Sequence, residues 1–251
     1  MNREGCYIYG IIATSQRQEF GPIGIGKRGD SVYTLPYQNL AAVVSRSPII
    51  EYPVTRANTV AHVKVLEKVM EEYSILPVRF CTIADSEEDI IEKALKAHYE
   101  EFVTLLRSIE GKIELGVRVR WTDVNTIFSE ILAENQDIQE MRDMFLIEED
   151  EQRKYSYKIQ IGQRVKEVLD EKKKREADDL LSALQPLSLH HKENSISGDA
   201  ELVNAAFLIP KEKEEEFDRK IQELGKMYGE RKRIKYVGPV APYNFVEAIV
   251  R

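Results

Sequence analysis

Cysteine is nearly absent from this chain: Cys6 and Cys81 are the only two in 251 residues. Their separation matches no metal-binding spacing, and each lies in an apolar run. They are expected as buried, reduced thiols rather than a disulfide or a metal site. Histidine is scarce too, with four copies. His190 and His191 are neighbours on a predicted strand, so they point to opposite faces and do not readily chelate one metal together. His62 and His98 fall on or beside apolar helix faces, where a lone imidazole is expected as a satisfied structural group. Long apolar runs are missing: none nears the roughly 20 residues of a membrane-spanning helix, and none near the start has the form of a signal peptide. A cytoplasmic protein with no membrane partner is expected. An excess of base is missing as well. With 36 Lys and Arg against 43 Asp and Glu, the net charge is −7, which excludes a general nucleic-acid footprint. No serine sits in a nucleophile elbow, and no pair of acids is marked as catalytic.

What is present is a well-patterned α+β chain, 43% hydrophobic and 31% charged. That suffices for one large domain or two ordinary ones. Residues 5–13 read as a buried strand. Ser31–Tyr37 and Leu40–Ser45 read as two more, joined by a turn at Gln38-Asn39. Thr55 is placed to cap a helix through Tyr73, with Val60, Val63, Leu66, Met70 and Tyr73 on one stripe. Leu76–Thr82 then reads as a strand. Asp85 or Ser86 caps a helix that ends at Gly111. Ile113, Leu115, Val117, Val119 and Trp121 alternate along a one-sided strand. A short helix near Val124–Leu132 and a polar stretch with Met141, Met144 and Phe145 precede a long helical segment, about 148–185. Its apolar stripe lapses at Lys172-Lys173-Lys174-Arg175, and a helix without a stripe projects into solvent or meets a partner there. Strands near Leu187–Lys192 and Glu201–Ile209, a helix over Lys211–Tyr228 and a proline-broken strand over Ile234–Val250 complete the chain. From Lys112 the order is β-α-β-β-α-β, the ferredoxin-like pattern with an expanded helical insertion. Two domains are expected, an α+β unit over 1–110 and a ferredoxin-like domain over 111–251.

Several motifs carry possible chemistry. Gly21-Pro22-Ile23-Gly24-Ile25-Gly26-Lys27 matches the first seven positions of a phosphate-binding loop, and Gly24–Gly29 matches a dinucleotide fingerprint by spacing. Neither has the helix that should follow, and Arg28 stands where the magnesium-binding Ser or Thr belongs. A glycine-rich connection between strands accounts for both; a nucleotide-dependent assembly factor is the alternative function they suggest. Arg231-Lys232-Arg233-Ile234-Lys235 reads either as a complement to the preceding helix terminus or as a surface for an acidic partner. Arg79 lies between apolar Val78 and Phe80, so its side chain faces opposite to theirs. It is expected either to pair with an acid or to face a partner.

Three separated segments carry a family likeness. Gly5-Cys6-Tyr7-Ile8-Tyr9-Gly10-Ile11-Ile12 opens the chain. Leu76-Pro77-Val78-Arg79-Phe80 follows the helix that begins Ala61-His62-Val63-Lys64. Gly238-Pro239-Val240-Ala241-Pro242-Tyr243-Asn244-Phe245-Val246 lies near the end. In this order, and with the strand ending in Trp121, they resemble the gas vesicle protein family F/L. One departure is Cys81, where the pattern leads us to expect glycine. The resemblance implies a two-domain α+β fold, no enzyme activity and no cofactor. It implies a protein of the gas vesicle that binds the small apolar shell subunit, other gas vesicle accessory proteins, or both, during nucleation and growth. A subunit with a large apolar face aggregates unless it is covered. Edge-strand addition or an apolar groove would cover it. The residues expected to meet partners are Arg79, Lys172, Arg175, Pro242, Tyr243 and Phe245.

Overall fold

A computed structural model describes residues 3–249 and is mixed α/β with two sheets. The chain resolves into two compact units. The first takes the chain up to Leu115 and then gathers Leu208–Glu212 and the segment from Val237 on. The second is Gly116–Phe207 with Lys213–Tyr236.

In the first unit, β1 (Glu4–Ile12), β2 (Glu19–Gly21), β3 (Val32–Tyr37), β4 (Leu40–Pro48) and β5 (Ile75–Pro77) form a sheet in the order β2-β3-β4-β1-β5. The short β6 (Ile83–Ala84) also pairs with β1. The pairings β1–β4, β1–β5, β1–β6, β2–β3 and β3–β4 are antiparallel. β1 is covered on both faces, as its unbroken apolar run requires. Cys6, Ile8 and Ile11 join one core, and Tyr7, Tyr9 and Ile12 join the other. The alternation slips by one residue because the β1–β4 register shifts between Ile8 and Gly10.

Helix α1 (Arg56–Met70) starts where expected, with the Thr55 hydroxyl accepting the Asn58 N–H. Its buried stripe, however, is His62, Val65, Leu66 and Val69, and Val60 is exposed. Counting only apolar residues had rotated the face, because its central residue is a histidine. The next helical stretch begins at the Ser86 cap as α2 (Glu87–Asp89), widens to a π-helix over Ile90–Lys96 and continues as α3 (Tyr99–Ile109). Ile90, Ala94, Leu95, Phe102, Leu106 and Ile109 are its buried side. The single strand expected over Leu76–Thr82 is not formed. β5 ends at Pro77, Val78 makes an isolated parallel bridge to Ala248, and Cys81 turns the chain at φ 67°.

The second unit holds most of the other sheet. Its strands are β7 (Lys112–Trp121), β8 (His190–Glu193), β9 (Glu201–Pro210) and β10 (Lys232–Val240), in the order β10-β7-β9-β8. Between β7 and β8 come α4 (Val124–Glu134), α5 (Gln136–Ile147) and α6 (Glu151–Leu184); α7 (Glu214–Tyr228) precedes β10. The polar stretch around Met141 is helix α5. At 34 residues, α6 is roughly 50 Å long. Phe217 of α7 packs on Phe207 of β9, with ring centroids 5.3 Å apart. The last strand stops at Val240 and a turn follows over 243–245, so the extended run expected to Phe245 and beyond is not made; its end, Val250, lies outside the described residues.

Candidate functional site

In the first unit the three separated segments meet around one side chain, His62. Its Nδ1 lies 3.0 Å from the Tyr7 hydroxyl, and its Nε2 lies 2.9 Å from the Tyr243 hydroxyl. The rings of Tyr7, Tyr9 and Phe80 stand 5.7, 5.6 and 5.8 Å from the imidazole. The Tyr7 oxygen also accepts the Cys81 N–H at 2.7 Å. One arrangement of hydrogens satisfies every group. Tyr7 accepts from Cys81 and donates to Nδ1, and Nε2–H donates to Tyr243. This needs a neutral imidazole. Burial supplies one, lowering the His62 pKa from 6.5 to about 4.

Around this chain lie further buried hydroxyls. Tyr9 accepts the Ile25 N–H at 2.8 Å and meets Ser45 Oγ at 3.0 Å. Burial raises its pKa to about 12. Tyr52 meets Ser47 Oγ at 3.0 Å, and its N–H donates to Cys81 Sγ at 3.2 Å. The Tyr9 hydroxyl is therefore un-ionised at neutral pH, and all of these hydroxyls serve as fixed hydrogen-bonding partners.

Cys81 explains its own departure from the family pattern. At φ 67° it occupies the left-handed region, where glycine carries no Cβ penalty. Its thiol meets the Tyr52 N–H, which compensates part of the strain. Cys81→Gly should therefore change stability by less than about 1 kcal/mol. Cys81→Val should cost about 2 kcal/mol or more, because a β-branched residue tolerates this conformation poorly. Urea unfolding of both variants gives the comparison.

The expected partner residues fall into two groups. Arg79, Pro242, Tyr243 and Phe245 come together in the first unit. Arg79 pairs with Glu247 on the surface. Asn244 donates its N–H and its side-chain amide to the buried Glu114 carboxylate, at 2.8 and 2.6 Å. Pro242 is buried and Phe245 half-buried. Tyr243 is 42% exposed, with its hydroxyl turned inward to His62. The segments that build the network also carry exposed apolar residues: Ile50, Val54 (85% exposed) and Val60 from the approach to α1 and its first turns, and Ile249 beyond Ala248. The sequence pointed to these segments but not to these exposed residues, because a lone exposed apolar residue has no sequence signal.

Lys172 and Arg175 lie in the second unit, and the expectation that their run projects into solvent is overturned for its first half. Lys172 and Lys173 are buried. Lys172 Nζ sits 3.1 Å from Glu130 and 3.3 Å from Glu134, and Lys173 donates to the Gly198 carbonyl at 2.8 Å. Arg231 pairs with Glu130 through both guanidinium nitrogens. Lys232 reaches Glu176 at 2.9 Å, and the Trp121 indole N–H donates to that same carboxylate at 2.9 Å. The Arg231 hydrogen bond, aided by Lys172, holds the Glu130 carboxyl down at about 2. Burial alone would raise Glu176, but hydrogen bonds from Lys232 and Trp121 outweigh it and keep it low. The lysines break the stripe because acids on α4 meet Lys172 and the Gly198 carbonyl meets Lys173. Lys174 and Arg175 remain exposed.

The glycine-rich loop is a turn between strands. Ile25–Lys27 makes a single 3-10 turn, and β3 follows rather than a helix. The amides of Ile23, Gly24 and Ile25 are held by the Gly21 carbonyl, the Asp30 carbonyl and the Tyr9 hydroxyl. Gly26, at φ 86°, lies against Tyr52; a Cβ there would stand 3.0 Å from its hydroxyl. Among the described residues no group of three or more His, Cys, Asp or Glu is placed to hold a metal, and no helix is long and apolar enough to cross a membrane.

Residues 5–247 match the family described as gas vesicle synthesis protein GvpL/GvpF. Gas vesicle protein F of Dolichospermum flosaquae is 27% identical over 245 residues, covering 96% of this chain and 97% of that one. Gas vesicle protein F1 of Halobacterium salinarum is also 27% identical, covering 97% and 93%. The crystal structure of GvpF from Anabaena superposes with a TM-score of 0.83 at 25% identity, covering 96% of this chain and 98% of the other.

Proposed function

The chain belongs to the GvpL/GvpF family of gas vesicle synthesis proteins, and from that premise we propose that it binds the apolar shell subunit during nucleation and assembly and keeps it from aggregating. The observation that carries this reading is the number of exposed large apolar residues in the first unit, Ile50, Val54, Val60, Tyr243 and Ile249, with Tyr243 itself bonded to His62. Exposed apolar residues on a hydrogen-bonded scaffold offer fixed area to an apolar ligand at low ordering cost. Arg79, Pro242 and Phe245 belong to the same unit, and other gas vesicle proteins would meet the complex at its remaining surfaces. The strand order β10-β7-β9-β8, with α4–α6 and α7 as the crossovers, supports reading the second unit as ferredoxin-like.

Co-expression with the shell subunit tests the function. The subunit should stay in the soluble fraction and co-elute with this chain on size exclusion. With Val54→Asp and Val60→Asp together, the soluble shell subunit should fall about tenfold, while the variant itself keeps its fold because both sites are exposed. Shell subunit that precipitates equally with and without the wild-type chain would overturn the reading.

A further inference from the structure

The basic run Arg231–Lys235 is divided by the strand it enters. Alternation along β10 sends Lys232 and Tyr236 toward the helices, where they meet Glu176 of α6 and Asp218 of α7. Arg233 and Lys235 go to the opposite face and are exposed. On the adjoining strand β7, Val117, Val119 and Trp121 are buried, and Arg118 and Arg120 are exposed on the other side. The four cations line one groove of about 690 Å³, with Val119, Ile234, Tyr236 and Glu201 completing its wall. Among the described residues, only Arg118 of the four has an acid within ion-pair reach, Glu201 at 3.8 Å, and it also donates to Asn204 at 3.1 Å. A chain with net charge −7 has thus gathered four cations on two paired strands, one of which is a sheet edge.

We propose that this face of the second unit binds an extended acidic segment of a partner protein, laid along β10. The charge selects an anion, and the edge strand offers backbone groups to an extended chain. Neither aromatic residue of β7 and β10 offers a free ring face for stacking: the Trp121 side chain is buried with its N–H on Glu176, and Tyr236, at the groove wall, stacks on Phe217 with its hydroxyl on Asp218. Single-stranded nucleic acid is held by base stacking on such faces, so the groove suits a carboxylate-rich peptide better than RNA. The surface is independent of the shell-subunit reading, and its test does not use that subunit.

The test is fluorescence anisotropy of the full chain with a labelled ten-residue peptide of alternating glutamate and threonine. Saturable binding is expected. Arg120→Glu, Arg233→Glu and Lys235→Glu combined should weaken it at least about tenfold, as should raising salt from about 50 to about 500 mM. If that triple variant does not fold by circular dichroism, the glutamine triple at the same positions replaces it, with the same direction expected. Absence of saturable binding, or equal binding by the folded variant, would overturn the proposal. So would tighter binding of a decamer of uridylate under the same conditions, or self-association of the chain that the charge reversal abolishes.

Discussion

His62→Leu should destabilise the first unit by about 3 kcal/mol at pH 7. Leucine fills much of the space but leaves the Tyr7 hydroxyl, fully buried, without the acceptor for its proton, and it removes the donor to Tyr243. An unpaired buried polar group costs about 1–3 kcal/mol, and the half-exposed Tyr243 recovers part of its loss from water. The pH dependence separates this from simple repacking. In the folded chain His62 titrates near 4 instead of 6.5. Between these values the unfolded chain binds more protons than the folded one, so stability falls as pH falls. The contribution is complete above 6.5, declines through that window and levels off below 4. A shift of this size is worth about 3 kcal/mol. Urea unfolding at pH 7 and pH 4.5 should show the wild type losing stability that His62→Leu does not lose, so the two curves approach each other in acid. A constant gap across that range would mean that His62 is not held neutral by the fold.

Lys172→Glu should unfold the second unit or cost it about 4 kcal/mol or more. The new carboxylate would face Glu130 and Glu134 at a site where the lysine is 8% exposed. Breaking a buried pair costs about 3–5 kcal/mol before any like-charge repulsion is added. Lys172→Met should cost far less, about 1 kcal/mol, because Arg231 still neutralises Glu130 and Glu134 is largely in water. Arg175→Glu, on the exposed part of the same run, should stay within about 0.5 kcal/mol. Thermal unfolding of the three variants orders them. Equal, small effects at Lys172 and Arg175 would restore the view of the whole run as a solvent-facing surface.

These two experiments bear on where sequence reasoning reached and where it stopped. Most of the longer strands, the helix starts at Thr55 and at Asp85 or Ser86, and the long helix were legible because periodicity and capping are local. The stripe of α1 was misplaced because its central residue is polar, and only its distant partners, Tyr7 and Tyr243, make a histidine acceptable there. The lapse at Lys172 looked like exposure for a related reason: a lysine's acid partners on another helix leave no mark beside it. Leu76–Thr82 read as one strand because nothing in the letters Phe80-Cys81 announces a left-handed residue. The family pattern came nearest, by leading us to expect glycine there. Arg79 was read as either paired or partner-facing, and Glu247, 168 residues away, takes it.

The pairing of His62 with Tyr243 spans 181 residues, which sets an order of events during synthesis. Until the segment from Val237 on has been made, Nε2 of His62 lacks its Tyr243 partner and Val78 its bridge to Ala248. The whole second unit, Gly116–Phe207 and Lys213–Tyr236, is made before that segment. The first unit is thus begun first and closed last: segments on either side of the second unit in sequence must meet before His62 has both of its partners.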